Sequence, residues 1–156
     1  MRTEPQNGYR MMTEPVFLDA NFLIATLNVD DQWHGIAEQM RPTLNSADPI
    51  VTTKPVLYEV ADAMAHPLRN QAGQAVASLC SDSRITVDPV ADETFASALA
   101  LYQDRPDKDW SLTDCVSFIV MRKMEIQRAM TADHHFEQAG FVAMMRTQRK
   151  HNGADE

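Results

Sequence analysis

Four acidic residues, Asp19, Glu59, Asp114 and Asp133, stand where a folded chain can turn a carboxylate toward chemistry. Asp19 follows at once on the apolar run Val16-Phe17-Leu18, and Asp133 comes just after a second candidate strand at 127–131. Glu59 lies a short turn and part of a helix beyond Ile50-Val51-Thr52, and Asp114 sits in the first turn of an apolar helix. Carboxylates that meet in one cleft repel and raise one another's pKa unless cations hold them apart. An all-oxygen ligand set suits Mg²⁺ or Mn²⁺. Such ions bind phosphate oxygens and lower the pKa of an attacking water, which is the chemistry of metal-dependent phosphodiester hydrolysis.

Each acid also has an ordinary structural explanation, and the segments taken singly leave both open. Asp133 can cap the helix that follows it, Asp19 can be a turn residue, and Glu59 can answer the dipole of a helix that starts near Pro55. Asp114 shows the conflict most sharply. At about 100° per residue it shares a helix side with Phe118 and Met121, while Cys115, Val116, Ile119 and Val120 fill most of the remaining circumference. A carboxylate on a helix buried nearly all round must be protonated, hydrogen-bonded or paired with a cation. The spacing Ser111-x-x-Asp114 equally spells a capping box.

The elements that must position these acids follow from hydrophobic periodicity. Strands are expected at 16–18, 50–52, 84–87, 127–131 and 141–145, and helices at 22–27, 33–44, 54–64, 72–80, 92–102, 111–124 and 134–139. Leu57, Val60, Ala61 and Met64 mark the buried stripe of one helix, and Phe95, Leu99 and Tyr102 line up on another. Strands separated by helices imply right-handed crossovers and an α/β domain with a mostly parallel sheet covered on both faces. In such sheets the functional crevice lies at the carboxyl ends of the strands, an edge that all four acids can reach. A single domain over 16–145 is expected, preceded by a disordered lead-in at 1–15 and followed by a disordered polar tail at 146–156.

Composition limits the function classes. The formal charge is −8, from 14 Lys and Arg against 22 Asp and Glu, which argues against a protein that coats nucleic acid through a general basic surface. Residues 82–114 hold eight carboxylates against Arg84, Arg105 and Lys108, whereas 115–151 hold six basic groups against three acids, so the basic character is concentrated late. No apolar run is long enough to span a bilayer and the first residues lack a signal-peptide core, which places the protein in the cytoplasm. Cys80 and Cys115 read as small buried hydrophobes and not as a disulfide.

The segments Val16-Phe17-Leu18-Asp19-Ala20-Asn21, Leu57-Tyr58-Glu59-Val60, Ser111-Leu112-Thr113-Asp114-Cys115-Val116-Ser117-Phe118 and Thr131-Ala132-Asp133-His134-His135-Phe136 together resemble the PIN domain, in the family's order. The resemblance covers about 16–145. It implies a three-layer α/β/α fold around a parallel sheet of about five strands and a Mg²⁺- or Mn²⁺-dependent ribonuclease centre built on Asp19, Glu59, Asp114 and Asp133. By the same resemblance Asn21 and Thr131 match polar residues that orient the carboxylates, with Thr113 and Ser117 as further supports. The stand-alone size is similar to that of VapC-type toxins, which implies a homodimer silenced by a small antitoxin.

Several other residues lie close to these motifs. Lys54, Lys108, Asp109, Trp110 and Arg122 are candidate substrate contacts, although Trp110 also suits an aromatic staple at a helix start. With so acidic a chain, RNA must be held by metal ions and local groups such as these together with Arg146, Arg149 and Lys150. His134 and His135, with no third His or Cys nearby in sequence, read as helix-start residues instead of metal ligands. Two rival functions fit the same motifs. One is an inactive PIN-like module serving as a binding scaffold. The other is a phosphatase with an aspartyl nucleophile at Asp19, against which Asp19-Ala20-Asn21 lacks the second Asp such enzymes place two residues on.

Overall fold

The computed structural model describes residues 13–154. Most of the expected lead-in, residues 1–12, lies outside them. The chain runs β1 (Val16–Leu18), α1 (Ala20–Leu27), α2 (His34–Met40), β2 (Ile50–Thr53), α3 (Lys54–Ala63), α4 (Arg69–Ser81), β3 (Ile85–Asp88), α5 (Asp92–Asp104), α6 (Leu112–Lys123), β4 (Arg128–Met130), α7 (His134–Gln138), β5 (Val142–Ala143) and α8 (Met144–Ala154).

The five strands form one parallel sheet in the order β3-β2-β1-β4-β5. Val16-Phe17-Leu18 is apolar throughout because β1 is the central strand, covered on both faces and wholly buried. Winding runs outward from β1 through β2 to β3, then resumes on the other side with β4 and β5. The reversal lies between β1 and β4, whose register pairs Leu18 with Met130, so residues just past those two strands flank the crevice of the switch point. Asp19 and Asp133 are those residues.

An aromatic cluster fixes α6 beneath α7. Phe118 is fully buried and packs edge-on against Trp110 and Phe136, at centroid separations of 5.1 and 5.0 Å. These tilted contacts add to the apolar burial and restrict the relative placement of the two helices. Asp114 lies one helical turn before Phe118, so the cluster also fixes the height at which its carboxylate enters the crevice.

Several local expectations are corrected. The helix expected over 33–44 stops at Met40 and continues as a 3-10 turn, Arg41–Ser46, because Pro42 lies in its first turn and cannot supply an α-helical N–H bond. Ala61 is exposed, and Val56 takes its place in the buried stripe of α3. Phe95 and Tyr102 are 46% and 49% exposed, because α5 packs on α6 through the face that carries Thr94 and Ala98. Cys80 is exposed, and only Cys115 is buried.

The largest correction concerns the end of the chain. The last strand is only Val142–Ala143, and α8 covers Met144–Ala154, most of the stretch expected to be a disordered tail. Met144 and Met145 anchor its start in the core, and Met145 N–H donates to Thr131 O at 3.1 Å. Further along, the Arg149 guanidinium lies 3.2 Å from the centroid of the Trp33 ring, and Asn152 donates to Gln39 Oε1 at 3.0 Å. A polar helix with few apolar residues is thus ordered by cation–π stacking and side-chain bonds to α2 and its lead-in, which periodicity does not register.

Candidate active site

Each of the four acids reaches the crevice from a different element. Asp19 occupies the N-cap position of α1, yet its side chain makes no capping bond. It instead accepts a 2.7 Å hydrogen bond from Thr131 Oγ1 across the β1–β4 gap. The same hydroxyl oxygen accepts Asp133 N–H at 3.0 Å. Asn21 Oδ1 accepts Ala132 N–H at 2.7 Å, a second tie between the two loops. Asn21 and Thr131 therefore set the separation of Asp19 and Asp133.

Asp114 caps its own helix and also contacts a second one. The capping box is complete, with Asp114 N–H donating to Ser111 Oγ at 2.9 Å and Ser111 N–H donating to Asp114 Oδ2 at 3.1 Å. Asp114 Oδ2 also lies 3.2 Å from Nδ1 of His135 on α7. Its other carboxylate oxygen accepts no hydrogen bond among the described residues. Asp133 caps α7 by accepting His135 N–H at 2.9 Å, and its Oδ1 lies 3.3 Å from His135 Nδ1.

Glu59 reaches the crevice from α3. The helix α3 begins at Lys54 after a Thr53 cap, which puts Glu59 in the second turn and removes the dipole explanation. Glu59 is an exposed residue on the wall facing Asp114 and Asp133, whose charges both act on it.

Electrostatics ties the acids into one group. Burial raises the Asp19 carboxyl from its ordinary 3.8 to about 7, against the opposing Thr131 hydrogen bond and with help from the charges of Asp114, Glu59 and Asp133. Burial, followed by Asp114 and Asp133, raises Glu59. Burial also raises Asp114; the Ser111 bond works against it, Asp133 adds to it and His135 opposes it. Among the described residues the ion pairs of these acids are with His134 and His135, and none is with Lys or Arg. Two buried carboxylates, Asp19 and Asp114, beside half-buried Asp133 and exposed Glu59, with no Lys or Arg paired to them, are oxygen donors of the kind a hard divalent ion takes. Asp19, Asp114, Asp133 and Glu59 are the residues that would hold it.

The remaining candidates divide by placement. Ser117 Oγ donates to Thr113 O at 3.1 Å, within α6 itself, so neither residue is tied to the acids by a side-chain bond. Trp110 is 5% exposed, with its indole N–H bonded to Gln138 Oε1 at 3.0 Å, and packs on Phe118. Arg122 is in the last turn of α6, about 12 Å along the axis from Asp114, because that helix carries the chain back to the opposite edge of the sheet. Lys54 is exposed directly after β2 at the acidic edge, and exposed Asp109 and half-buried Lys108 lie in the loop before α6. Sequence reasoning placed His135 at a helix start and gave it no contact with the acids. Its only sequence signal is its place two residues after Asp133 in a first helical turn, and the contact with Asp114 is visible only once α6 and α7 are packed.

This fold and its acidic switch point have a family. A model of the PIN domain matches residues 16–142, and the chain belongs to that family. It is 30% identical over 128 residues to the 23S rRNA-specific endonuclease VapC20 of Mycobacterium tuberculosis, in strains CDC 1551 and H37Rv, an alignment covering 81% of this chain and 95% of the relative. The crystal structure of that VapC20, described as a Sarcin-Ricin loop cleaving toxin, superposes with a TM-score of 0.74 at 29% identity and covers 82% of this chain and 97% of the other.

Proposed function

We propose that the protein is a Mg²⁺- or Mn²⁺-dependent endoribonuclease of the VapC toxin type that acts in the cytoplasm. The observation that carries this reading is the convergence of Asp19, Glu59, Asp114 and Asp133 at the switch point with no Lys or Arg paired to them. Asp19, Glu59, Asp114 and Asp133 would hold a divalent ion, which would supply neutralisation of phosphate charge and activation of water for phosphodiester hydrolysis. The four carboxylates orient that chemistry. Thr131 and Asn21 keep Asp19 and Asp133 at a fixed spacing, and the α6 capping box holds Asp114 rigid, so little ordering is needed on binding. No side chain is required as nucleophile.

Metal removal tests the reading directly. Chelator-treated protein is expected to leave RNA intact and to regain cleavage on addition of Mg²⁺ or Mn²⁺. A chain that binds no Mn²⁺ in a calorimetric titration is instead an inert PIN-like scaffold. The named target of the relatives makes a ribosomal RNA stem–loop the first substrate to try.

Affinity for RNA in so acidic a protein is attributed to α8. From Met144 to Ala154 this helix contains no acid and carries Arg146, Arg149 and Lys150, and Arg146 Nη1 lies 3.4 Å from Ala132 O, next to Asp133. Its basic side therefore leads away from the rim of the acidic crevice. Replacing Arg149 and Lys150 with alanine is expected to weaken RNA binding and to shrink the slope of log affinity against log salt by about 0.7 for each phosphate no longer neutralised. An unchanged slope would remove α8 from the RNA path. The antitoxin and homodimer implied by the family belong to the same proposal. The exposed Phe95 and Tyr102 on α5 offer apolar surface for a second copy, and the mass in solution is the check.

A further inference from the structure

We propose that His135 donates an imidazole nitrogen to the divalent-ion centre, making it a mixed carboxylate–imidazole site that discriminates in favour of Mn²⁺ over Mg²⁺. The inference rests on the metal-dependent reading above and specifies the ligand chemistry of that centre. Its basis is the placement of one atom. His135 Nδ1 stands 3.2 Å from Asp114 Oδ2 on α6 and 3.3 Å from Oδ1 of Asp133, the cap of its own helix. Neighbouring ligands in an octahedral shell with bonds of ~2.1 Å are separated by about 3.0 Å. The nitrogen is therefore already near ligand-to-ligand spacing from two acids of the centre.

The ring is held in that place. His135 N–H is bonded to Asp133 Oδ1 at 2.9 Å, which fixes its backbone at the start of α7, and its side chain is only 19% exposed. The His134 ring stacks beside it at a centroid distance of 4.5 Å. His134 itself is a poor candidate, since its Nδ1 is 3.7 Å from Asp133, its side chain is 58% exposed, and among the described residues it has no ion pair with Asp114. A neutral imidazole ligates through its unprotonated nitrogen. That donor favours first-row transition ions, whereas Mg²⁺ prefers oxygen, so one imidazole among carboxylates shifts the preference toward Mn²⁺.

The test titrates Mn²⁺ into chelator-treated wild type, His135→Gln, His135→Ala and His134→Gln. Bound ion is read by electron paramagnetic resonance, directly bound nitrogen by electron spin echo modulation, and Mg²⁺ affinity by competition. Wild type and His134→Gln are expected to show nitrogen coupling to the bound ion. Both His135 variants are expected to lose the coupling and about tenfold in Mn²⁺ affinity, with a much smaller change for Mg²⁺. If wild type binds Mn²⁺ without nitrogen coupling, or if His135→Gln keeps the full Mn²⁺ preference, His135 only orients Asp114 by hydrogen bonding and the inference falls. The wild-type and His134→Gln spectra together decide the point even if a His135 variant fails to fold. Failure of the underlying reading looks different, because wild type would then bind no Mn²⁺ at all.

Discussion

Asp114→Asn is expected to cut RNA at least about a hundredfold to a thousandfold more slowly than wild type while folding normally. The expectation separates the two tasks of this residue. Asparagine keeps a side-chain oxygen that can accept Ser111 N–H, so the capping box that starts α6 survives the change. Phe118 and its aromatic partners, which fix α6, are untouched. The missing feature is the negative charge that would meet a cation between α6 and α7. Circular dichroism should be unchanged, the stability shift should stay within about 1 kcal/mol, and cleavage should nearly vanish. Equal cleavage rates for the folded variant and wild type would mean that Asp114 is a cap and nothing more, and the catalytic reading would go with it.

The second large effect is on stability. Metal-free protein should be more stable at pH 5 than at pH 8, the reverse of the usual behaviour of ion-paired carboxylates. Asp19 has its pKa raised from 3.8 to about 7, chiefly by burial, so the folded state holds that proton more tightly than the unfolded chain does. The stabilisation this gives is fully present below about pH 4 and is lost as pH rises through about 7. Three pKa units correspond to no more than roughly 4 kcal/mol. Glu59 and Asp114 are displaced in the same direction. A bound divalent ion should reverse the loss, by about 2.7 kcal/mol at a hundred times its dissociation constant. Urea melts at the two pH values, with and without Mg²⁺, measure this. Asp19→Asn isolates the contribution, since it should be the less pH-sensitive protein. A metal-free wild type that is as stable at pH 8 as at pH 5 would contradict the burial of Asp19 beside the other acids.

The two predictions share a cause in the way this crevice is built. Most buried carboxylates are neutralised by a basic side chain or by several hydrogen bonds. Here Asp19 has Thr131, Asp114 has Ser111 and His135, and the remaining charge is left for something outside the chain. Stability is given up at neutral pH in a place where the proposed function needs uncompensated negative charge.

The sequence by itself determined the class of fold and put forward the four acids as candidates. Short, wholly apolar strands such as Val16-Phe17-Leu18 can only be buried on both faces, and strands separated by helices must cross over to pair in parallel, so the carboxyl edge follows. Asp19 and Asp133 are placed by chain order alone, because each comes directly after its strand. Tertiary structure decided what depends on distant segments meeting. Whether Asp114 capped a helix or joined the crevice could not be settled within Ser111–Phe118, since the second role lies in a contact with His135 on another helix. The same holds for His135, whose ring meets Asp114 only because α6 and α7 are packed together. Trp110 was removed from the surface by Phe118 and Gln138, and α8 was ordered by Trp33 and the segment before α2. In each case periodicity reports one element against an averaged interior, whereas a site is defined by which side chains of different elements come within bonding distance.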